Sequence, residues 1–399
     1  MQISLGVHCF AGGITRRQVK DFIMNDDKKE FGFEIDFLPV GNGGDSGDAI
    51  CIRWGYGLDT ATPDQFVMVV DGGYKETAKS LITHLKTRYF KGIKDPVINL
   101  VVSTHPHQDH ISGLATLIDE FRIIGLMMAI PWEHEGLKKW FAVDHRLTEA
   151  GIHSRLKSGL DSVRDLTGKL ENGKHIFEAF APWKSRVLKG CEFHVLGPSK
   201  SFYESMLPDF NATPGHGVIQ RGTRLVLTGQ RISSANGKLN DEGETSAENE
   251  SSLVLLIHII PKDKYILLTA DAGKIALCHA IKELERMKID VNKIDIVQVP
   301  HHGSVQNVTP GILNAILGAP LPEPQRTYMR KAIVSVAENA TDDHPSDTVR
   351  NAVLERGVRF KATQGATLWF YYGNVPQRPE FDEIKYDVNL SASVCEYRT

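Results

Sequence analysis

Within Thr104-His105-Pro106-His107-Gln108-Asp109-His110, four residues with metal-binding side chains fall inside six positions. The run before them, Ile98–Ser103 (INLVVS), is continuously apolar, as a strand buried on both faces must be. A helical pattern follows from about Ile111 to Phe121. Alternate residues of an extended segment point the same way, so His105 and His107 can share one cation. Asp109 and His110 turn into the helix and can reach a second. Imidazole nitrogen combined with carboxylate oxygen suits Zn²⁺, Mn²⁺ or Fe²⁺. One such histidine would be an ordinary surface residue. A cluster this dense at the end of a buried strand is not explained that way.

Other reactive side chains also stand where apolar strands end. Asp271 follows the strand Tyr265–Thr269 and precedes a helix expected over Lys274–Met287, where it could also serve as a helix cap. His301 and His302 follow the buried run Ile294–Val299. Asp71 closes the strand Phe66–Val70 in an Asp-Gly-Gly turn. His344 precedes Pro345 and an amphipathic stretch, PSDTVRNAVLERG, and Pro is favoured in the first turn of a helix. This places His344 at a helix N-terminus, where the dipole and free N–H groups favour an anion, or where it could simply act as a cap.

The framework for these residues is strand–helix alternation. Phe33, Ile35 and Phe37 alternate with Glu34 and Asp36, and a Gly/Asp turn leads to a returning strand over Ala49–Trp54, which makes a hairpin. Helical periodicity covers Ser80–Phe90 and most of His145–Leu170. Strands are expected at Ile123–Ile130, Cys191–Leu196, Leu253–Ile260, Ile333–Val336 and Phe360–Tyr371, with a helix over Pro345–Arg356. Residues 199–250 read as an irregular insertion, with a polar tract at Ser233–Ser252. The organisation expected is a lead-in over 1–32, one domain over 33–375 and a polar tail over 376–399.

The histidine segment resembles the HxHxDH signature of the metallo-β-lactamase superfamily. Several shorter pieces resemble, in the same order, its ComEC-type branch from DNA-uptake proteins. These are Val40-Gly41 with Gly47-Asp48, Asp71-Gly72-Gly73, Leu267–Asp271 (LLTAD), Val299–Ser304 (VPHHGS), Ser335-Val336 with Asn339 and His344-Pro345, and Thr363-Gln364-Gly365. The resemblance implies an α/β fold, the αββα sandwich, in which two mixed β-sheets are packed face to face and flanked by helices. It implies two divalent metal ions per chain, zinc or manganese, held by His105, His107, Asp109, His110, Asp271 and His302. In it Asp271 bridges the pair, since two close dications repel unless an anion lies between them. It favours His302 as the ligand, leaving His301 as a supporting or substrate-contacting group, and it makes Asp71 the acceptor that fixes a ligand histidine's tautomer.

One departure bears on the metals. Many relatives carry a histidine in a PGHT-like turn before the strand leading to the bridging aspartate. Here that position reads Asn249-Glu250-Ser251-Ser252-Leu253, like the ComEC-type NxxSL, so Asn249 or water takes the place of an imidazole. The tetrapeptide Thr213-Pro214-Gly215-His216 copies the missing turn more than thirty residues too early, which makes His216 an alternative ligand. Fewer imidazoles make a harder site and favour manganese. The implied activity is metal-dependent hydrolysis by a metal-activated hydroxide, most plausibly of a phosphodiester in DNA, with Asp109, Asp271 and His344 as the catalytic groups. The alternatives are a small substrate (a cyclic nucleotide, thioester or amide) or a metal-bearing effector subunit whose partner protein delivers substrate.

Composition sets the outer bounds. The chain has 399 residues, 41% hydrophobic and 24% charged, which excludes overall disorder. Its net charge of −3 excludes a basic nucleic-acid coat protein but permits nucleic acid as a transient substrate. Five scattered cysteines without a CxxC pair fit neither a disulfide scaffold nor a zinc ribbon, so reducing cytoplasm is the expected compartment. The first residues lack the layout of a signal peptide. The longest apolar run, Leu253–Pro261, is far short of the ~18 residues of a membrane span, so no membrane role is expected.

Overall fold

Every second residue of the first strand is a large apolar side chain, and that alternation decides which way the first sheet faces. The computed structural model describes residues 29–42, 45–141, 148–170, 175–210, 239, 245–340 and 344–379. Phe33, Ile35 and Phe37 of β1 (Phe31–Phe37) are fully buried toward a second sheet. β1 pairs antiparallel with β2 (Ala49–Tyr56), which is the expected hairpin, and β2 pairs antiparallel with β3 (Asp64–Gly72). β4 (Leu100–Val102), β5 (Leu126–Met127) and β6 (Ile176–Phe177) then add in parallel.

The second sheet runs β7 (Trp183–Lys184), β8 (Cys191–Gly197), β9 (Val254–Ile259), β10 (Lys264–Leu268), β11 (Ile294–Gln298), β12 (Lys331–Val334) and β13 (Arg359–Ala362). Its first four strands are antiparallel and its last four parallel. The last strand, β14 (Leu368–Gly373), crosses back and pairs antiparallel with β1. Both sheets are therefore seven-stranded and mixed.

Three apolar layers hold the sandwich together. The middle one interleaves Ile35, Ile52, Met68 and Val102 with Phe193, Leu255, Ile266 and Ile296 from the facing sheet. Each such side chain contributes about 1.5–3 kcal/mol of burial. Outside the first sheet lie α1 (Ala78–His84), continued by a five-residue π turn over Leu85–Tyr89, and α2 (Gln108–Glu120). α3 (Glu149–Gly159) and α4 (Asp161–Lys169) share that outer core through Ile152, Leu156, Val163 and Leu166. The second sheet is covered by α7 (Lys274–Arg286), α8 (Pro310–Leu317) and α9 (Asp347–Glu355). Two short helices, α5 (Lys200–Met206) and α6 (Ala247–Glu250), lie between β8 and β9. The architecture is the expected αββα arrangement of two mixed sheets flanked by helices. No helix among the described residues is long and apolar enough to cross a membrane.

Several expectations need correction. The strand expected over Ile123–Ile130 is two separate pairs, Arg122–Ile123 and β5, because Ile124 and Gly125 step between neighbours. The helical stretch ending at Leu170 breaks at Leu160, and its expected start at 145–147 lies outside the described residues. The insertion at 199–250 is not irregular at its ends. Ser199 caps α5 by accepting from Phe202 N at 3.3 Å, and Ser246 caps α6 by accepting from Asn249 N at 3.1 Å. Phe360–Tyr371 is two strands in different sheets, separated by the turn at Thr363–Ala366.

Glu34 and Asp36 are fully buried, although alternation alone would place them at a polar surface. Their charges are met within the protein. Arg53, opposite Glu34 in the register, donates to it from Nε. Arg378 donates to Asp36 Oδ1 at 2.7 Å and to Glu34 Oε2 at 2.7 Å, and it stacks on Trp369 at 4.7 Å. Tyr89 Oη donates to Asp36 Oδ2 at 2.7 Å. Arg378 falls on the tail side of the boundary expected at 375/376, yet it is 97% buried by this contact, at 3% exposure.

Candidate metal centre

β4 ends at Val102, and the chain turns through Ser103–His107 into α2, so the histidine segment lies at the edge of the first sheet. Asp71, at the end of the neighbouring β3, organises it. Its Oδ1 accepts from Thr104 N at 2.9 Å, and its Oδ2 accepts from Thr104 Oγ1 at 2.7 Å and from His110 Nδ1 at 2.8 Å. Because Thr104 Oγ1 donates to Asp71, its lone pair is left to accept from His105 Nδ1 at 3.1 Å. One buried carboxylate thus engages Nδ1 of one imidazole directly and of the other through Thr104, and turns both Nε2 atoms toward the site.

The second sheet supplies the opposing groups from the ends of β10 and β11. Asp271 follows β10 and is buried. Its backbone is placed by Gln298, whose Oε1 accepts from Thr269 N and Ala270 N at 3.0 Å each. His302 follows β11 and donates from Nδ1 to the Ser335 carbonyl at 2.8 Å, so its Nε2 also faces the site. A Cβ on Gly303 (φ +82°) would lie 2.9 Å from Pro345 Cβ, and this glycine lets the His344 loop close over the histidines. A Cβ on Gly47 would meet the Asp109 carbonyl at 2.4 Å, so the Gly/Asp turn after β1 packs directly under the ligands.

Two donor sets converge on Asp271. Asp109, His110, Asp271 and His302 present ligand atoms all within 4.8 Å of one another, and so do His105, His107 and Asp271. His110 Nε2 is 3.4 Å from Asp271 Oδ1, while His105 Nε2 is 3.8 Å from Asp271 Oδ2. His302 Nε2 is 3.5 Å from Asp109 Oδ2. The Nε2 atoms of His105, His110 and His302 and the Oδ1 of Asp271 are buried without hydrogen-bond partners. Orphaned lone pairs that converge in this way are costly unless a cation satisfies them, so the residues fit a divalent metal pair.

The electrostatics follow from this crowding. Burial works against ionisation of Asp109, but His110 and His302 hold it well below the usual carboxylate range. Asp271 is likewise held low against its burial by His110, His302 and His301. Burial pulls the His302 imidazole down, yet Asp271 and Asp109 outweigh it and push it up to about 9. His110 is raised in the same way, against burial, by Asp271, Asp109 and Asp71. His105 goes the other way, pushed down by burial and by neighbouring His110.

The remaining expected residues are placed as follows. His301 Nε2 is 3.7 Å from Asp271 Oδ2. Asn249, in α6, is buried, and its Oδ1 has no hydrogen-bond partner among the described residues. His216 lies outside the described residues. His344 is not at the helix N-terminus expected for it. Helix α9 starts at Asp347 and is capped by Ser346, whose Oγ accepts from Thr348 N at 3.2 Å, so Pro345 precedes the helix instead of opening it. The His344 ring instead stands 5.9 Å from the His301 ring, beside the donor sets. A shallow cleft of ≈290 Å³, part of it open to solvent, runs from His105 past Thr104 and Met128 to Tyr203 and Ser251.

Three supporting residues were not singled out in the sequence. Asp48 is buried, accepts from Gln298 Nε2 at 2.9 Å and lies 3.7 Å from His110 Nδ1. Burial raises its pKa, partly offset by His110 and His302. The Gly47-Asp48 dipeptide was the available signal for it. Gln298 and Asn307 carry no motif, and their roles arise only from contacts distant in sequence, Gln298 with Asp48 and the Thr269–Ala270 backbone and Asn307 with His301 and the Asp271–Ala272 backbone.

The family comparison agrees with this site. Residues 61–168 match the model of the metallo-beta-lactamase superfamily. That segment runs from just before β3 nearly to the end of α4 and contains the whole His105–His110 run. Among solved structures, unliganded yeast PDE1 is similar at 14% identity and a TM-score of 0.42, covering 85% of this chain and 99% of its own. The zinc-bound PqqB of Methylobacterium extorquens is similar at 10% identity and a TM-score of 0.36, covering 84% and 99%. An isothiocyanate hydrolase from Delia radicum gut bacteria is similar at 11% identity and a TM-score of 0.38, covering 84% and 98%. No curated protein sequence matches the chain.

Proposed function

We propose that this protein is a dinuclear metal-dependent hydrolase whose substrate is a phosphodiester, with DNA the first candidate. The observation that carries the reading is Asp271, a buried carboxylate whose two oxygens face separate imidazoles, with His110 on one side and His105 on the other. His105 and His107 would hold one cation, Asp109, His110 and His302 the other, and Asp271 both. When bound, the cations would supply activation of water at neutral pH and neutralisation of charge on the substrate.

The chain's own residues do the remaining work. Asp71 and the Ser335 carbonyl fix the imidazole tautomers, and Gln298 holds the loop that carries Asp271. His344, whose ring stands 5.9 Å from that of His301, would hydrogen-bond a non-bridging phosphate oxygen or protonate the leaving oxygen. The phosphodiester assignment rests on the ordered LLTAD, VPHHGS and HP segments that resemble the ComEC-type branch.

The test incubates pure protein with single- and double-stranded DNA, RNA, cyclic nucleotides, a thioester and a β-lactam under Mn²⁺, Zn²⁺ and Mg²⁺. Cleavage of nucleic acid or nucleotide far above the others supports the reading. Good turnover of a thioester or lactam with no phosphodiester cut refutes it.

A further inference from the structure

The two donor sets are unequal. One carries Asp109, His110 and His302 with Asp271, whereas the other carries only His105 and His107 with Asp271. The place where relatives offer a further histidine holds Asn249. We propose that His301 supplies the missing imidazole, so that the adjacent pair His301-His302 serves both metals, one ring to each. This rests on the dinuclear reading above and deepens it.

Geometry carries the argument. Neighbouring residues of an extended chain point in opposite directions. His301 and His302 instead have positive φ, 48° and 53°, a region that non-glycine residues rarely adopt. Strain of this kind persists only where the surroundings enforce it. Here it brings both rings onto Asp271 and Asp109, with their centroids 5.8 Å apart. His301 N also donates to the Ala270 carbonyl at 3.1 Å, which ties the loop to the residue before Asp271.

The wiring of His301 matches that of the expected ligands. Asn307 is fully buried, and its Nδ2 donates to the carbonyls of Asp271 and Ala272 at 3.0 and 3.1 Å. The amide orientation is therefore fixed, and Asn307 Oδ1 accepts from His301 Nδ1 at 2.9 Å. His301 thus has Nδ1 engaged and Nε2 turned to the site, as His105, His110 and His302 do. That Nε2 is 3.7 Å from Asp271 Oδ2, the same oxygen that His105 Nε2 faces at 3.8 Å. Two donors on one tetrahedral zinc stand about 3.4 Å apart, so against Asp271 each needs to close by only a few tenths of an ångström, while His301 lies outside the 4.8 Å spread of the His105–His107–Asp271 set and its ring must swing toward that pair on loading. The His301 side chain is 29% exposed, whereas Asp271 beside it is buried.

The full chain is stripped with chelator and titrated with Zn²⁺ against a chromophoric competitor, and bound metal is counted by elemental analysis. The wild type should take two ions. His301→Ala should keep one at unchanged affinity and weaken the other by more than 100-fold. That exceeds the roughly 10–100-fold cost of losing a supporting contact. His301→Gln should behave alike, and both should melt as the wild type does in chelator. Asn249→Ala and His344→Ala should keep both ions. A smaller loss in both His301 variants overturns the proposal, as does loss of the second ion in Asn249→Ala alone. A wild type that binds fewer than two ions refutes the dinuclear reading itself.

Discussion

Metal loading of this site should expel protons, and the number follows from the structure. In the metal-free chain His302 is pushed up to about 9 by Asp271 and Asp109, and His110 is raised as well. His105 is pushed down by burial and is neutral. A ligand must be a bare lone pair, so at pH 7 both His302 and His110 must lose a proton before they bind. For His302 the gap of two pH units costs about 2.7 kcal/mol, or roughly 100-fold in affinity. The Asp109–His110–His302 set should therefore release at least one proton per ion at pH 7, from His302, with His110 adding to it in the same direction. Its affinity should rise about tenfold per proton per pH unit, at least about tenfold between pH 6.5 and 7.5. Calorimetric titration in buffers of different ionisation heat counts these protons directly. Release of fewer than one proton at pH 7 would refute the reasoning. The stability of the metal-free chain should show the opposite sign. A histidine whose folded pKa is raised stabilises fully below its unfolded value of about 6.5 and loses that contribution as pH rises through about 9. Chelated protein should therefore weaken across that window by on the order of 3 kcal/mol for His302, in denaturant melts.

Other perturbations are equally direct. Arg378→Ala strips Asp36 and Glu34 of a buried guanidinium and should cost about 3–5 kcal/mol in urea unfolding, with metal content unchanged; a cost under 1 kcal/mol would contradict the burial. Asp71→Asn removes the charge that orients His110 and supports His105, and should lower zinc affinity about 10–100-fold without unfolding the chain. An unchanged affinity would show that the tautomers are fixed elsewhere. His344→Ala should keep both ions and the melting temperature, because Ser346 is the cap, while phosphodiester turnover falls roughly 10²–10⁴-fold; an unchanged rate removes His344 from catalysis.

The sequence was most legible where burial is local. LVLLIHII read as a strand because both faces are covered, as did Leu100–Val102 of INLVVS, although Val97–Ile98 pair apart from it with Arg122–Ile123, and the HxHxDH run stood out because its ligand types are dense. What was not legible depends on partners far along the chain. Glu34 and Asp36 looked like surface residues because the cations that neutralise them include Arg378, over 340 residues away. Asp48 and Gln298 meet across 250 positions. Phe360–Tyr371 read as one strand because apolar residues flank the short Thr363-Gln364-Gly365 turn on both sides, and only pairing with β1 reveals the crossing. His344 was drawn two residues too close to its helix because proline suits a helix start, whereas Ser346 supplies the cap.

The pairing of β14 with β1 also governs the order in which the molecule can be made. A ribosome delivers residues at about 5–20 per second, N-terminus first. The first sheet cannot close its β1 edge until Leu368–Gly373 emerges, more than 330 residues after Phe37. Until then Glu34 lacks Trp369 and Arg378, and β1 presents unpaired amides that invite association with other chains. The histidines of residues 105–110 are synthesised long before Asp271 and His302. A nascent chain therefore exposes half a set of ligands for many seconds, and correct metal capture becomes a late event that follows the joining of the two sheets.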